Sequence, residues 1–348
     1  AQELGRIAVH ELLERTELDP ELIDEVVIGN IAQPPEATNI ARVIALKSGI
    51  PRRVPAITVA RNCASGMDAI ATAHLKISAG MADVIIAGGV ESMSNIPLLY
   101  PQEYGEVLAE ASKARSFGQK LEAFAHMRPK HFKPIIGLQV GLTDPICELN
   151  MGETAEVLAK EFGITRQEQD AFALLSHQRA TLATDLGKLR EEIVPVFPPP
   201  QHNTVVDEDN GIRKNQSHEA LAKLRPVFDR DYGSVTAGNS SQITDGAAAV
   251  LVMSEEKAKA LGLKILGYVR SYAFAGLDPA RMGLGPSVAT PRALKLAGLS
   301  FKDIQLVEIN EAFAAQVIAN EMVFRDAKLS QKWIGREEPL GEINREIL

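Results

Sequence analysis

The chain is poor in cysteine and in aromatic residues, and it has no long apolar run. Cys63 and Cys147 are the only cysteines in 348 residues, and aromatic residues make up 5%. Two cysteines outside any Cys-x-x-Cys pattern exclude a disulfide framework and a zinc site of the usual spacing, and they favour a reducing compartment. The roughly 20 consecutive apolar residues that a membrane-spanning helix needs are also missing. We therefore expect no metal site.

Negatively charged residues are in moderate excess. The sequence has 45 Asp and Glu against 37 Lys and Arg, which gives a formal charge of −8. This balance argues against a nucleic-acid partner. It leaves room for an anionic small molecule, because local basic residues and helix N-termini bind phosphate whatever the net charge.

Short apolar runs alternate with helical patterns at the start of the chain. The opening residues AQELGRIAVHELLERT predict an amphipathic helix, with Leu4, Ile7, Ala8, Leu12 and Leu13 on one face. Further helical patterns lie at 41–48 and 65–79. Alternation of this kind indicates an α/β fold with a mainly parallel sheet. The runs that predict buried strands lie at 26–28, 56–60, 83–89 and 247–253.

A weak internal repeat links the two ends of the chain. LDPELIDEVVIGN near the start resembles PRALKLAGLSFKDIQLVEIN near the end, with a helix, an Asp-containing turn, a buried strand and a terminal Asn30 or Asn310. Two α/β halves of similar design would follow. Cys63 lies 33 residues after Asn30, and the same offset from Asn310 reaches position 343. We expect the second half to be cut off where its counterpart of the Cys63 segment is due.

Cys63 is the first candidate for chemistry. It lies in RNCASG, between a predicted strand and a predicted helix. A thiol at that place meets the positive end of the helix dipole, which favours the nucleophilic thiolate. A buried structural cysteine at a tight turn is the alternative.

Several segments, in order, resemble the thiolase family. The likeness covers essentially all 348 residues. It implies the thiolase fold, in which two βαβαβαββ halves stack in αβαβα layers and a loop domain is inserted in the first half. The segments that carry it are RNCASGMDAIATAHLKISAGMADVIIAGGVESMS, LNMGETAE, GSVTAGNSSQITDGAAAVLVMSEEKA, MGLGPSVATPRAL and INEAFAAQ.

The resemblance implies roles for nine residues. Cys63 would carry the acyl group as a thioester, and its N–H would form part of an oxyanion hole. Asn310 would hold a water that donates to the thioester oxygen; on local pattern alone it would cap the following helix. Arg213 would lie near the nucleotide part of CoA, or else be a solvated loop arginine. The other residues would line the pantetheine tunnel or its apolar walls, with core packing as the alternative for Met and Phe: Ser241, Ala237, Met151, Phe228, Met282 and Phe313.

Some family segments are absent from the printed residues. Thiolases activate their nucleophile with a Gly-His-Pro histidine and use a second cysteine in Cys-x-Gly-Gly, and neither segment occurs here. The opening Arg-Thr-Pro-Phe segment is also absent. We expect the chain to be trimmed at both ends; a degenerate sequence is the alternative.

The resemblance implies a domain division and a reaction. The first half would comprise 1–92 and 243–263, the CoA-binding loop domain 93–242, and the incomplete second half 264–348. The expected enzyme is an acyltransferase, a 3-ketoacyl-CoA thiolase of fatty-acid β-oxidation, with CoA as substrate and no permanently bound cofactor. The alternatives are a biosynthetic acetoacetyl-CoA thiolase, a ketosynthase-like condensing enzyme, and a non-catalytic acyl-CoA- or lipid-binding protein.

Residues 120–145 indicate a subfamily. KLEAFAHMRPKHFKPIIGLQVGLTDP resembles the longer loop of the β subunit of the fatty-acid-oxidation trifunctional complex, although that subfamily often has His where this chain has Asn310. Aromatic and aliphatic residues there alternate with Arg and Lys, which is typical of a membrane or partner contact, or of a loop that covers its own acyl tunnel. We expect a homodimer or a dimer of dimers, with the α subunit as a further partner. The expected compartment is the bacterial cytoplasm, or the mitochondrial matrix in a eukaryote.

Overall fold

A computed structural model describes residues 1–345 as a mixed α/β protein. The strands are β1 (Glu25–Gly29), β2 (Ala56–Val59), β3 (Val84–Ser92), β4 (Leu98–Leu99), β5 (Ile135–Ile136) and β6 (Asp245–Met253). The helices are α1 (Gln2–Thr16), α2 (Ile40–Lys47), α3 (Ser65–Ser78), α4 (Gln102–Lys113), α5 (Phe117–Ala125), α6 (Gly137–Gly141), α7 (Met151–Phe162), α8 (Arg166–Asp185), α9 (His218–Ala222), α10 (Glu255–Ala260), α11 (Gly285–Ala297), α12 (Ala314–Arg325) and α13 (Ala327–Ile334).

The main sheet has four strands in the order β2, β1, β3, β6. β1 pairs in parallel with β2 and β3, and β6 pairs antiparallel with β3. All four strands that the apolar runs predict are therefore present. A separate two-stranded sheet joins β4 to β5.

Helices cover both faces of the main sheet. Val26 and Ile28 of β1 pack in one cluster with residues of α1 and α2, whereas Val27 packs with Ala69 and Ala73 of α3. Because side chains alternate between the faces of a strand, a strand covered on both sides has no polar positions. This explains the continuous apolar run of β1.

The opening helix is present, but its buried stripe differs from the predicted face. Gly5, Val9 and Leu13 are buried, whereas the other four residues of the predicted face are only half-buried. A Cβ on Gly5 would lie 2.3 Å from the Cδ1 of Ile44, so α1 approaches α2 closely at this point. The stripe is therefore set by where α2 lies.

A second cluster lies between α7, α8 and α12. It includes Leu158, Phe172, Val317 and Val323, all buried. Both α7 and α8 begin with a capping box, in which an Asn or Thr side chain and a Glu three residues later satisfy each other's backbone N–H groups. Gly163 ends α7 in the left-handed conformation, so that a short turn leads into α8.

The predicted strand before Asn310 is not formed. Between α10 and α12 the described chain has helical turns and α11 but no strand, and Leu306 is 75% exposed. A β-strand needs hydrogen-bonding neighbours, and no strand among residues 1–345 pairs with this segment. The apolar pattern is present, but residues 1–345 supply no partner strand for it.

β6 follows the inserted region in sequence and joins the main sheet beside β3. The domain bounds given above stay a prediction, and the last three residues of the proposed second half lie outside the described residues. No helix within residues 1–345 is both long and apolar enough to cross a membrane.

Candidate active site

Cys63 sits in a tight turn between β2 and α3. Asn62 has a left-handed backbone, with φ of 45°, which Asn tolerates better than most residues. The Ser65 hydroxyl accepts from the Arg61 N–H at 2.8 Å and donates to the Asn62 carbonyl at 2.6 Å. These bonds close the turn around Cys63, which is exposed just before the first turn of α3. The alternative of a buried structural cysteine is therefore wrong, because Cys63 is exposed.

Two strands approach this turn through glycines. A Cβ on Gly29 would lie 2.4 Å from the carbonyl carbon of Ser65, and one on Gly89 would lie 3.4 Å from the Cα of Gly66. The carboxyl end of β1 and the middle of β3 thus meet the start of α3 almost backbone to backbone. A side chain at Gly29 would force the turn that carries Cys63 to move.

Arg61 joins the Cys63 turn to the C-terminal part of the chain. Its guanidinium pairs with Asp68 of α3 at 3.0 Å and lies over the Phe274 ring, 3.9 Å from the centroid. A cation over an aromatic face at this distance is attracted by the ring quadrupole. The segment that contains Phe274 is therefore fixed against the turn although it belongs to no strand.

The loop 234–241 and the turn 310–313 are hydrogen-bonded to each other. The Ser241 N–H donates to the Ala312 carbonyl at 2.9 Å, and the Ala314 N–H donates to the Asn239 carbonyl at 3.0 Å. Asn310 is exposed and lies before this contact, and Phe313 caps α12, so Asn310 is not the helix cap. The two family segments that lie about 70 residues apart in sequence thus form one unit.

Two buried carboxylates hold the loop 234–241 in place. Glu156 of α7 accepts from the N–H groups of Ser234 and Val235 at 2.9 and 2.8 Å. Asp170 of α8 accepts from the Asn239 side chain at 3.0 Å and pairs with Arg166 at 2.7 Å. Buried charge is tolerated only when it is paired in this way. Neither residue is among those predicted from the sequence; the pattern that could indicate them is an acidic residue among the small and apolar residues of MGETAEVLA and QDAFALL.

The predicted apolar wall residues fall into two groups. Phe228 and Phe313 contact edge to face, with centroids 6.1 Å apart. Phe228 also fills the space beside Gly152, where a Cβ would lie 2.2 Å from its ring. Met151 at the start of α7 is half-buried, and Met282 is 37% exposed near Gly283.

A large cleft brings four of the nine predicted residues together. Among residues 1–345, Arg213, Ala237, Ser241 and Asn310 line it, whereas Cys63 does not. Its volume of about 3210 Å³ exceeds the usual 300–1,000 Å³ of a small-molecule site. Met151, Phe228, Met282 and Phe313 lie outside its lining as well. The structure therefore collects the CoA-side candidates but does not place Cys63 and Asn310 in one cavity.

His177 of α8 also lines the cleft, although it is not among the residues predicted from the sequence. Its Nδ1 accepts from the Arg213 N–H at 3.2 Å, and the neighbouring Ser176 hydroxyl donates to Glu311 at 2.5 Å. Burial and the Arg213 charge lower the pKa of His177 below its usual value, and Glu311 opposes this shift. Burial and the Arg213 charge thus favour the neutral imidazole.

One histidine of α3 and the second cysteine lie apart from this cleft. His74 of α3 meets Tyr272 edge to face at 6.1 Å. Cys147 is half-buried, and its N–H donates to Asp144 at 3.0 Å. Within residues 1–345 no three His, Cys, Asp or Glu side chains form a group able to hold a metal ion.

Family models and known proteins match almost the whole chain. The model of the thiolase N-terminal domain matches residues 1–256, and that of the thiolase C-terminal domain matches 263–331. A 3-ketoacyl-CoA thiolase of Yersinia pestis (strain Pestoides F) is 45% identical over 345 residues, which are 99% of this chain and 78% of the relative.

Solved structures of similar proteins have the same fold. The crystal structure of the Bacillus anthracis acetyl-CoA acetyltransferase matches with a TM-score of 0.82 at 36% identity, over 99% of this chain and 82% of its own. Human mitochondrial 3-ketoacyl-CoA thiolase in complex with CoA matches with a TM-score of 0.80 at 36% identity, over 92% and 76%. The predicted thiolase fold is confirmed by these matches.

Proposed function

This chain belongs to the thiolase family, and from that premise we propose that it is a 3-ketoacyl-CoA thiolase acting in fatty-acid β-oxidation. It would cleave 3-ketoacyl-CoA with CoA to acetyl-CoA and an acyl-CoA shortened by two carbons. The observation that carries the proposal is the exposed Cys63 at the start of α3, in a turn that the glycines of two strands approach closely.

The reaction has two balanced halves. In the first, the Cys63 thiolate attacks the C3 carbonyl, a C–S bond forms and the C2–C3 bond breaks. The electron pair of that bond leaves on the acetyl-CoA fragment as an enolate, which takes up a proton at carbon. In the second half, the thiolate of CoA attacks the acyl-Cys63 carbonyl, and the cysteine leaves as thiolate. Cys63 lies just before the first turn of α3, so the positive end of the helix dipole is next to the sulfur in both halves.

The other predicted residues would bind and polarise the substrate. Asn310, through a water, would stabilise the oxyanion that forms when the carbonyl is attacked. Arg213, Ser241 and Ala237 line one cleft, which suits the nucleotide and pantetheine parts of CoA. Met151, Phe228, Met282 and Phe313 would provide apolar contacts beside the acyl and pantetheine chains.

Acyl transfer to the protein tests the proposal directly. The chain is incubated with a 3-ketoacyl-CoA, quenched with acid and digested, and the peptides are mapped by mass spectrometry. We expect an acyl group on Cys63 in the wild type and in Cys147→Ser, and none in Cys63→Ala. An adduct on Cys147 alone would contradict the assignment of the nucleophile. CoA binding without any adduct would favour the non-catalytic acyl-CoA-binding alternative.

The degradative reaction is distinguished from synthesis by acyl chain length. We propose that the enzyme prefers medium or long acyl chains, because residues 120–145 resemble the longer loop of the trifunctional β subunit. Each buried CH₂ group contributes about 0.8 kcal/mol, so the preference is large once the chain is covered. The test compares acylation rates of Cys63 by acetoacetyl-CoA and by a long-chain 3-ketoacyl-CoA. Equal rates would favour the biosynthetic alternative.

Residues 120–145, together with the start of α5 (Phe117–Ala125), would form a contact surface for a membrane. Phe117 is 82% exposed, and Leu121 and Phe132 are also exposed. Lys120 and Lys130 lie between these apolar residues in sequence, a composition that suits an interface with anionic lipid. Flotation with vesicles containing anionic lipid is the test, with Phe117→Ser as the variant. A failure to float, together with capture of the α subunit of a trifunctional complex, would assign the surface to that partner.

We also propose that the protein forms a homodimer or a dimer of dimers. The outer edge of β2 has no strand partner within residues 1–345, and Ile57 and Met67 nearby are 42% and 68% exposed. An unpaired strand edge with exposed apolar side chains favours association. Light scattering behind a sizing column measures the state. The compartment, a bacterial cytoplasm or a mitochondrial matrix, stays a prediction.

A further inference from the structure

Helix α8 contacts two separate parts of the cleft through adjacent residues. Ser176 donates to Glu311 at 2.5 Å, and His177 accepts from the Arg213 N–H at 3.2 Å. Glu311 directly follows Asn310, and Arg213 belongs to the largely exposed segment 207–216. One turn of α8 therefore contacts Glu311, which follows the predicted oxyanion residue Asn310, and also Arg213, the predicted nucleotide-binding residue.

The segment that carries Arg213 is held by few bonds. The Gln242 side chain donates to the Gly211 carbonyl at 3.0 Å, and a Cβ on Gly211 would lie 2.3 Å from that amide. Lys214 pairs with Asp185 at 2.9 Å, but both side chains are more than half exposed, and such pairs contribute little. The Arg213 guanidinium itself donates to the Asn210 carbonyl at 2.9 Å. The Arg213 carbonyl accepts from the Gln216 N–H at 3.1 Å within the same segment, whereas the bond from the Arg213 N–H to His177 ties the Arg213 backbone to α8.

The protonation state of His177 decides whether this bond exists. Nδ1 accepts only when it carries a lone pair, so the neutral ring has its proton on Nε2. A protonated ring would have donors at both nitrogens and would place a cation beside Arg213. The charged groups that face the ring are Arg213 from the loop and Glu311 from the turn before α12.

We propose that His177 is a positioning residue that fixes the backbone of Arg213 for binding of the nucleotide part of CoA. The inference rests on the proposed function, because Arg213 is assigned to CoA there. We assign His177 no contact with the acyl group or the reacting carbon. It acts on affinity for CoA through the loop, and the helix that carries it is itself held against the Asn310 turn by Ser176.

The direction of the pH effect follows from the ring chemistry. Burial and Arg213 lower the pKa of His177, so the neutral acceptor persists somewhat below the usual value of about 6.5. As the pH falls further the ring takes up a proton and the bond to Arg213 is lost. Affinity for CoA should therefore be constant above neutrality and fall in the acid range.

The experiment measures CoA binding by titration calorimetry with the full chain. The variants are His177→Asn, His177→Leu and the control His126→Leu, an exposed histidine after α5. The side-chain oxygen of Asn lies near the position of Nδ1 and accepts without titrating. We expect His177→Leu to raise Kd on the order of 3–10-fold, the effect of one lost hydrogen bond. His177→Asn and His126→Leu should bind like the wild type at neutral pH.

The pH series separates positioning from general structural damage. Between about pH 8 and pH 5 the wild type should lose more affinity for CoA than His177→Asn does. Because Asn does not titrate, the loss seen in His177→Asn measures the effect of protonating the CoA phosphate itself. Adenosine 3′,5′-diphosphate, used as a second probe, should show the same ratios. Equal Kd values for the wild type and His177→Leu, or parallel pH profiles for the wild type and His177→Asn, would overturn the inference. A wild type that binds no CoA would refute the proposed function instead.

Discussion

Two segments of the chain, 17–30 and 298–310, begin alike and end differently. Each follows a helix that ends in the left-handed conformation, at Glu17 or at Gly298. Each then forms a three-residue 3₁₀ turn with an Asp in a capping hydrogen bond, and leaves it in an extended conformation. The internal repeat that the sequence predicts is therefore real at the level of local structure.

Beyond the turn the two segments differ. The first becomes β1, with a strand on each side, and Val26 is fully buried. The second remains irregular, and Leu306 is 75% exposed. Asn30 is buried and donates to the Val90 carbonyl at 2.9 Å, whereas Asn310 is exposed. Caps and turns are decided by a few neighbouring residues, but a strand depends on its partners.

Hydrogen exchange should show the largest difference between the segments. The amides of Val27 and Gly29 are in a central strand, so their exchange should require unfolding of the domain. Those of Val307 and Asn310 are in no ladder and should exchange several orders of magnitude faster. Exchange followed by mass spectrometry of peptic peptides measures both. Equal protection would mean that the second segment has strand partners in solution.

Truncation of one aliphatic side chain in each segment gives the next largest effect. Ile28→Ala removes a side chain that is 2% exposed, and it should lower the free energy of unfolding by about 2–5 kcal/mol. Leu306→Ala changes an exposed residue and should stay within about 0.5 kcal/mol. Urea denaturation followed by circular dichroism compares them. A large cost for Leu306→Ala would show that this residue is buried by a contact beyond those described.

Two neighbouring glycines at the Cys63 turn allow a matched comparison. A Cβ at Gly29 would meet the backbone of Ser65, whereas one at Gly66 would have open space. Gly29→Ala should therefore cost about 2–3 kcal/mol through overpacking. Gly66→Ala, in the first turn of α3, should be neutral or slightly stabilising. Denaturation midpoints measure the loss of stability. Equal effects of the two variants would contradict the close approach of β1 to the turn.

Much of the first half of the fold is readable from sequence. All four strands of the main sheet are fully buried or pack a helix on one face, so they appear as compact apolar runs between helical patterns. The tight turn at Cys63 is readable for a similar reason, since small residues and an Asn are needed at adjacent positions. The same kind of apolar run wrongly predicts a strand before Asn310, because an apolar run does not indicate whether a neighbouring strand exists.

The parts of the candidate site that escape the sequence are long-range contacts between polar residues. Glu156 binds N–H groups 78 and 79 residues away, and the partners Ser176 and Glu311 are 135 residues apart. No local pattern indicates such pairs. His177 belongs to a helix of mixed polarity, where a histidine is usually a solvated surface residue. Its role becomes visible only once the Arg213 N–H is placed beside it.

The smallest expected effect concerns the residues that end the helix before each turn. Glu17 has φ of 50° and Gly298 has φ of 68°, so both are left-handed, but only glycine adopts this conformation without a Cβ clash. Since no atom lies within 4 Å of a Cβ at Gly298, the cost of Gly298→Ala is conformational and should be about 1 kcal/mol. Glu17→Gly relieves the same clash but adds backbone freedom to the unfolded chain, so a gain of about 0.5 kcal/mol is expected. If urea denaturation shows that Gly298→Ala lowers the free energy of unfolding and Glu17→Gly raises it, both helices end at the same kind of left-handed residue. A loss of stability in Glu17→Gly would mean that the Glu17 side chain makes a contact that offsets its strain, and the likeness of the two segments would then end before the turn begins.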